Sequence, residues 1–130
     1  MLKGSQQLSI EQYLAEGHIL VSPQGGGFTG LVDTLLAEQE LKRNVMLSIP
    51  HFTVAPGIVA NTDLLITMTI RMAEKFAMLY DVKLLQPPLE IPAFSISQAW
   101  HARTQNEPSQ RWLRELISGI TQQIKTGKDR

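Results

Sequence analysis

The chain has 130 residues, of which 43% are hydrophobic, and its 12 lysine and arginine residues balance 12 aspartate and glutamate residues. This length and composition predict one folded domain and exclude general disorder. A formal net charge of zero argues against direct DNA binding by this chain, because phosphate contacts require clustered positive charge. The absence of cysteine excludes disulfides and thiolate chemistry and fits a cytoplasmic protein. No apolar run reaches the roughly 18 residues of a membrane helix.

The first half of the chain alternates predicted helices and strands. Ser9 followed by Gln12 is a capping-box pattern, which predicts a short helix over "IEQYLAE" that ends at Gly17. The run "HILVS" predicts a buried strand, and the glycine-rich loop "SPQGGGFTG" follows it. Lys42 and Arg43 are expected near the negative C-terminal end of the next helix. That helix has an apolar stripe formed by Leu31, Val32, Leu35 and Leu36.

The middle of the chain continues this alternation. "NVMLSIP" predicts a second strand that stops at Pro50, and "VAPGIVAN" predicts a short helix with Pro56 in its first turn. "DLLITM" predicts a third strand, and "VKLL" is a candidate for a fourth. Between these two runs lies a helix with one face formed by Ile70, Ala73, Phe76, Ala77 and Tyr80.

The last third of the chain changes its pattern. Apolar and polar residues alternate over 93–101, which predicts a strand with one buried face. Pro108 suits the first turn of a final helix, and Trp100 and Trp112 are predicted to lie in the core. The helix has a predicted buried stripe formed by Leu113, Leu116, Ile117, Ile120 and Ile124. Strands that alternate with helices predict an α/β fold with a mainly parallel sheet.

The glycine-rich loop fits the pattern G-x-G-x-x-G at Gly25, Gly27 and Gly30, between a predicted strand and a predicted helix. A dinucleotide site also requires a carboxylate at the end of the second strand, where this chain has the residues 49–52, "IPHF". A phosphate-binding loop of the Walker type requires a lysine, which is absent here. Nucleotide binding is therefore disfavoured. Backbone N–H groups at a helix N-terminus donate hydrogen bonds to a carboxylate as readily as to a phosphate, and we expect added hydrogen bonds from Ser22, Gln24 and Thr29.

The three histidines differ in their predicted positions. His18 begins a strand and His101 ends one, so a structural role is expected for both. His51 lies beyond the end of the second strand, at the sheet edge where open α/β folds bind ligands. Binding and structural roles remain open for His51. No histidine pair has a zinc-motif spacing and no serine hydrolase motif is present, so we expect no metal, no cofactor and no enzyme activity.

Five phrases of the sequence occur in the order found in one protein family. They are "HILVSPQG", "GLVDTLLAEQELKRNVMLSIPHF", "VANTDLLITM", "PPLEIPAFSISQAWHAR" and "EPSQRWLRELI". Together they resemble the C-terminal part of the effector-binding domain of LysR-type transcriptional regulators. The resemblance extends over about residues 9–120.

The resemblance implies a truncated effector domain of the periplasmic-binding-protein type (type 2), in which a small molecule binds between two α/β lobes. Residues 18–85 would form most of the second lobe, and a strand and helix over 93–124 would return to the first. The family's helix-turn-helix and the first half of lobe one have no counterpart in this sequence, so the chain is not expected to bind DNA directly. The implied effector contacts are Ser22, Gln24, Gly25, Gly26, Gly27, Phe28, Thr29, His51 and Phe52.

Two classes of function follow from these observations. The first is an effector-binding part of a LysR-type regulator, which is expected to form a homodimer or a higher assembly in the cytoplasm. Its expected effector is a small carboxylate or aromatic compound. The second is a free-standing α/β nucleotide-binding or enzymatic domain that uses the glycine loop over 25–30. The missing ribose carboxylate and phosphate lysine favour the first.

Overall fold

The structure is a computed structural model that describes residues 7–23, 25 and 27–126, with side chains to residue 123. The chain divides into two compact units, which are described separately. The first unit is Met1–Pro92 and the second is Ala93–Arg130. None of the described helices is both long and apolar enough to cross a membrane.

The first unit contains a three-stranded parallel sheet with the strand order β2-β1-β3, which confirms the predicted parallel α/β arrangement. Strand β1 lies in the middle, and its pairing with β2 shifts by one residue between His18 and Ile19. The elements in chain order are α1 (Ile10–Ala15), β1 (Gly17–Val21), α2 (Leu31–Ala37), β2 (Asn44–Ile49), a 3₁₀ helix (Phe52–Val54), α3 (Ala55–Val59), β3 (Leu65–Ile66) and α4 (Ile70–Ala77).

Helix α1 begins as its sequence predicts but ends earlier. Ser9 and Gln12 form the predicted capping box. The prediction that the helix ends at Gly17 is wrong, because Glu16 is already extended and Gly17 is the first residue of β1. Close packing explains the glycine there. A Cβ at Gly17 would lie 2.7 Å from Leu64 Cδ2 and 2.8 Å from Met46 Cγ.

Helix α2 is also shorter than predicted. It ends at Ala37, and Glu40 then adopts a left-handed backbone conformation with φ of 58°. Lys42 and Arg43 therefore lie beyond the helix, and their predicted interaction with its C-terminal end is wrong. Arg43 is instead a buried residue. Of the predicted stripe, Val32 and Leu36 are buried, Leu35 is half-buried and Leu31 is exposed.

Strand β1 is buried on both faces, as expected for a central strand of a parallel sheet. On one face Ile19 packs with Ile49 and Ala55, so this core joins β1 and β2 to α3. A second core contains Tyr13, Val32 and Leu36 and joins α1 to α2.

The rest of the first unit is less regular. Among the described residues no strand forms over "VKLL", and the pairing next to it is an isolated bridge between Gln7 and Gln86. In α4, Phe76 and Ala77 are half-buried, while Ile70 is exposed. Phe76 and Tyr80 make an edge-to-face ring contact at 6.5 Å.

The second unit contains a 3₁₀ helix, Ala102–Thr104, and α5, Pro108–Thr126. The predicted final helix is confirmed, but the predicted strand over 93–101 does not form. A strand needs a hydrogen-bonding neighbour, and the described part of this unit has no second extended segment paired with it. Its apolar residues Phe94, Ile96 and Trp100 are exposed rather than buried.

The apolar stripe of α5 is likewise not buried. The prediction of a core position is wrong for Trp112, which is 63% exposed. The predicted stripe lies on one face but stays open to solvent at Leu113, Leu116, Ile117 and Ile120, and the side chain of Ile124 lies outside the described residues.

Contacts of Arg114 hold the irregular segment against α5. Its guanidinium lies 4.6 Å from the centre of the Trp100 ring, a cation–π contact, and its Nη2 donates to the carbonyl of Gln105 at 2.7 Å. Gln98 donates to the carbonyl of Arg114 at 3.2 Å.

Candidate ligand-binding site

The ends of β1 and β2 are joined by one hydrogen bond. The backbone N–H of Ser22, just after β1, donates to the carbonyl of Ile49, the last residue of β2, at 2.8 Å. His51 follows Ile49 by two residues and precedes the 3₁₀ helix, as predicted. His51 is exposed and Phe52 is half-buried. Ser22 and His51 therefore follow the C-terminal ends of adjacent parallel strands.

The glycine loop departs from this edge in a tight turn. The N–H of Gly25 donates to the carbonyl of Ser22 at 3.0 Å. Gly25 and Gly27 have φ of 71° and 84°, in the left-handed region that favours glycine. A Cβ at either position would meet nothing within 4 Å. Backbone conformation, rather than crowding, requires these two glycines.

The exposed part of the loop presents an aromatic and a hydroxyl side chain. Phe28 is 61% exposed, and Thr29 is also exposed. Of the predicted contacts, Gln24 and Gly26 lie outside the described residues.

The loop ends in a capped helix start. The N–H of Gly30 donates to Asp33 Oδ2 at 2.7 Å, and a Cβ at Gly30 would lie 2.8 Å from Leu20 Cδ1. The sequence predicted that N–H groups at the start of this helix bind an external anion. The N–H of Gly30 instead donates to the carboxylate of Asp33. Asp33 is the third residue of α2, where an acidic side chain reaches back to the start of the helix.

Asp33 is also held by a buried arginine. Arg43 Nε donates to Asp33 Oδ1 at 2.8 Å and Nη2 donates to Oδ2 at 2.9 Å, a two-bond pair. Burial alone would raise the pKa of Asp33, but hydrogen bonds from Arg43 and Gly30 outweigh burial and lower it. Burial alone would lower the pKa of Arg43, but the hydrogen bonds and the charge of Asp33 outweigh burial, so the pKa of Arg43 is raised. Sequence reasoning missed this pair, although Asp33 occupies a capping position.

A second buried polar residue of the first unit is a histidine. His18 is fully buried and its Nε2 donates to the carbonyl of Tyr13 at 2.7 Å, since a carbonyl can only accept. The rings of His18 and Tyr13 are 4.5 Å apart, and Tyr13 bonds Thr67 through its hydroxyl at 2.8 Å. The structural role predicted for His18 fits these contacts.

The predicted site residues fall into two groups. Ser22 and His51 follow adjacent strand ends, as described above. Phe28 and Thr29 instead line a surface cavity of about 400 Å³ with the pair Asp33 and Arg43. The remaining lining residues are Ala37, Leu41, Lys42, Asn44 and Val45.

The fold is an α/β domain with a parallel sheet, and the candidate site lies at the carboxyl edge of that sheet. Comparison with known families gives the family itself. The model of the LysR substrate binding domain matches residues 1–120, so the chain belongs to that family. The suspected resemblance is confirmed, and the alternative of a free-standing nucleotide-binding enzyme is not favoured.

Curated relatives agree with this family. The transcriptional activator NahR of Pseudomonas putida is 32% identical over 112 residues, which cover 86% of this chain and 37% of that protein. Nodulation protein D 1 of Sinorhizobium fredii is 32% identical over 112 residues, which cover 85% of this chain and 34% of that protein. The chain thus spans about a third of the length of these relatives.

Solved structures agree as well. The regulatory domain of MexT, a transcriptional activator in Pseudomonas aeruginosa, is similar with a TM-score of 0.75 and 36% identity, over 86% of this chain and 56% of that one. A regulator from Vibrio parahaemolyticus described as putative in its own structure report is similar with a TM-score of 0.74 and 26% identity, over 93% and 56% of the two chains.

Proposed function

We propose that the chain serves as the effector-binding part of a LysR-type transcriptional regulator and that a small molecule binds at the carboxyl edge of its sheet. The hydrogen bond from Ser22 to Ile49 carries this proposal, because it brings the glycine loop and the "PHF" segment to adjacent strand ends. In the proposal, residues 18–85 belong to one lobe and 93–124 to the other. The chain acts in the cytoplasm, self-associates, catalyses no reaction and leaves DNA contact to other parts of a regulator.

The chemistry of the edge favours an aromatic or carboxylate effector. At the strand ends, His51 offers an imidazole that can donate a hydrogen bond to an anionic oxygen. In the cavity beside Asp33 and Arg43, Phe28 offers an exposed ring for stacking and Thr29 offers a hydroxyl. The proposed effector contacts both groups of residues. Because Gly30 already donates to Asp33, an anionic group is better placed near His51 than at the start of α2. Ser22, Gly25, Gly27 and Phe52 complete the proposed set, with Gln24 and Gly26 outside the described residues.

The substitution His51→Ala tests this site. Benzoate and succinate serve as an aromatic and an aliphatic carboxylate probe, and calorimetry measures their Kd. We expect His51→Ala to weaken the binding of the preferred probe about tenfold, the loss of one charge-assisted hydrogen bond. His101→Ala is the matched control, because His101 is an exposed histidine of the second unit.

Unchanged affinity in His51→Ala would remove His51 from the site. A thermal shift with NAD or ATP and none with either carboxylate would instead favour the nucleotide-binding alternative.

A further inference from the structure

We infer that Asp33 and Arg43 are positioning residues for the glycine loop: they fix its end so that its exposed residues meet the effector. The inference rests on the proposed function, which makes the loop part of the effector site. Neither residue was a candidate from the sequence.

Backbone hydrogen bonds hold both ends of the loop. At its start, Ser22 donates to the carbonyl of Ile49. At its end, Gly30 donates to Asp33 Oδ2 at 2.7 Å, and its carbonyl accepts from the N–H of Thr34. Among the described residues between these ends, Gly25 donates to Ser22, and a Cβ at Gly25 or Gly27 would meet nothing within 4 Å. The bond from Gly30 to Asp33 therefore contributes to the order of the loop's end.

The anchor at Gly30 depends on Arg43. Asp33 Oδ2 accepts from both Gly30 and Arg43 Nη2, while Oδ1 accepts from Arg43 Nε. These bonds leave the carboxylate little freedom to rotate away from Gly30. The Arg43 side chain is 2% exposed and that of Asp33 is 13% exposed, so solvent screens the pair weakly.

The arginine is itself buried in the first unit. It lies directly before β2, and its side chain is 2% exposed. The buried pair therefore joins the start of β2 to the last residue of the glycine loop.

Order in the loop matters for affinity because a loop that is ordered only on binding spends part of the binding free energy on that ordering. Phe28 and Thr29 lie within two residues of Gly30 and line the same cavity as Asp33 and Arg43. Loss of the Gly30 anchor would allow both side chains to move before the effector arrives.

Arg43→Lys and Asp33→Asn test the inference in the full chain. Lysine keeps the charge but cannot form two parallel hydrogen bonds, and asparagine keeps an oxygen for Gly30 but loses the charge that holds Arg43. Amide hydrogen exchange is followed without ligand in peptides that cover residues 22–30 and, separately, β1 and β2. Arg111→Lys is the matched control, because Arg111 Nε makes a bond of 2.9 Å to Glu115 on an exposed helix surface.

We expect exchange in 22–30 to accelerate about tenfold in both variants, with β1 and β2 unchanged, and Arg111→Lys to match the original chain. Unchanged loop exchange in a folded Arg43→Lys variant would overturn the inference. So would acceleration of equal size in the loop and the strands, which indicates a general structural role. If Asp33→Asn fails to fold, the loop exchange of Arg43→Lys alone tests the inference.

The same samples separate this inference from the proposed function. If neither benzoate nor succinate binds the original chain, the effector proposal fails while the exchange result still decides whether the pair orders the loop. If the probes bind, we expect both variants to weaken binding about fivefold, because the less ordered loop must be ordered when the probe binds. His51→Ala should weaken binding without changing loop exchange.

Discussion

His18, His51 and His101 have the same side chain and three different environments. His18 is fully buried between Tyr13 and the rest of the sheet core, His51 is exposed beyond a strand end, and His101 caps a 3₁₀ helix, where its Nδ1 accepts from the N–H of Arg103. The sequence predicted a structural His18 because it precedes an apolar run. It could not identify the carbonyl of Tyr13 as the partner, since that contact depends on how α1 packs against β1.

The burial of His18 makes stability depend on pH. Burial lowers the pKa of His18 below 6.5, the hydrogen bond to Tyr13 opposes this, and the charge of Arg43 adds to it. The unfolded chain therefore binds more protons than the folded chain below about pH 6.5. The stability that His18 contributes is present above that pH and is lost as the pH falls toward the folded-state pKa.

Urea unfolding at pH 7.5 and pH 5.5 measures this effect. We expect the urea midpoint of the original chain to be lower at pH 5.5 than at pH 7.5. The midpoint of His18→Gln should change less between these pH values, because glutamine can donate to Tyr13 without titrating. Asp33, whose pKa is lowered from 3.8, loses its contribution only at lower pH and does not interfere. Equal pH dependence in the two proteins would exclude His18 as the cause.

Local elements follow the sequence where their partners are local. The capping box of α1 needs only Ser9 and Gln12, and it forms as predicted. Helix α2 ends six residues before Arg43, and Glu40, with its left-handed backbone conformation, lies between them. Arg43 then forms the buried pair with Asp33. Neither the pair nor the turn has a local sequence signal.

Strands need more than their own pattern. The run over 17–21 pairs on both sides and becomes the centre of the sheet. The alternating run over 93–101 has an equally regular pattern and forms no strand within its unit. Alternation identifies which residues share a face, but hydrogen bonds to a neighbour decide whether a strand exists.

Strand β1 also gives a test of close packing. Alanine at Gly17 would place its Cβ 2.7 Å from Leu64 Cδ2 and 2.8 Å from Met46 Cγ. We expect Gly17→Ala to lower the free energy of unfolding by about 1–3 kcal/mol, the usual cost of overpacking. Urea unfolding followed by circular dichroism measures the change.

Gly119→Ala is the control, because it lies within α5 and a Cβ there meets nothing within 4 Å. Alanine in a helix should leave stability unchanged or raise it by about 0.5–1 kcal/mol. If Gly17→Ala is as stable as the original chain, Leu64 and Met46 can move aside and the glycine is not required.

The two units of the molecule differ in how well they are packed. The first unit has two cores, each with three buried apolar residues at its centre. In the second unit, none of the residues 93–123 is buried. Sequence patterning found the apolar face of α5 but could not show whether anything covers it, because the pattern of one helix carries no information about its partner. The candidate site shows the same limit: the loop and His51 were predicted from the sequence, whereas the buried pair of Asp33 and Arg43 is visible only in the folded structure.

The open face of α5 predicts association in solution, since contiguous exposed apolar surface is rare in monomers. Leu113, Leu116 and Ile117 are between 40% and 44% exposed on this face. We expect light scattering at about 50 µM, a concentration at which weak association is measurable, to give a mass above the 14.5 kDa of one chain. Leu116→Glu should return the mass to 14.5 kDa. Gln122→Glu adds the same charge on the opposite side of the helix and should leave the larger mass unchanged. A mass of 14.5 kDa for the original chain would contradict the prediction and show that the apolar face of α5 does not mediate association.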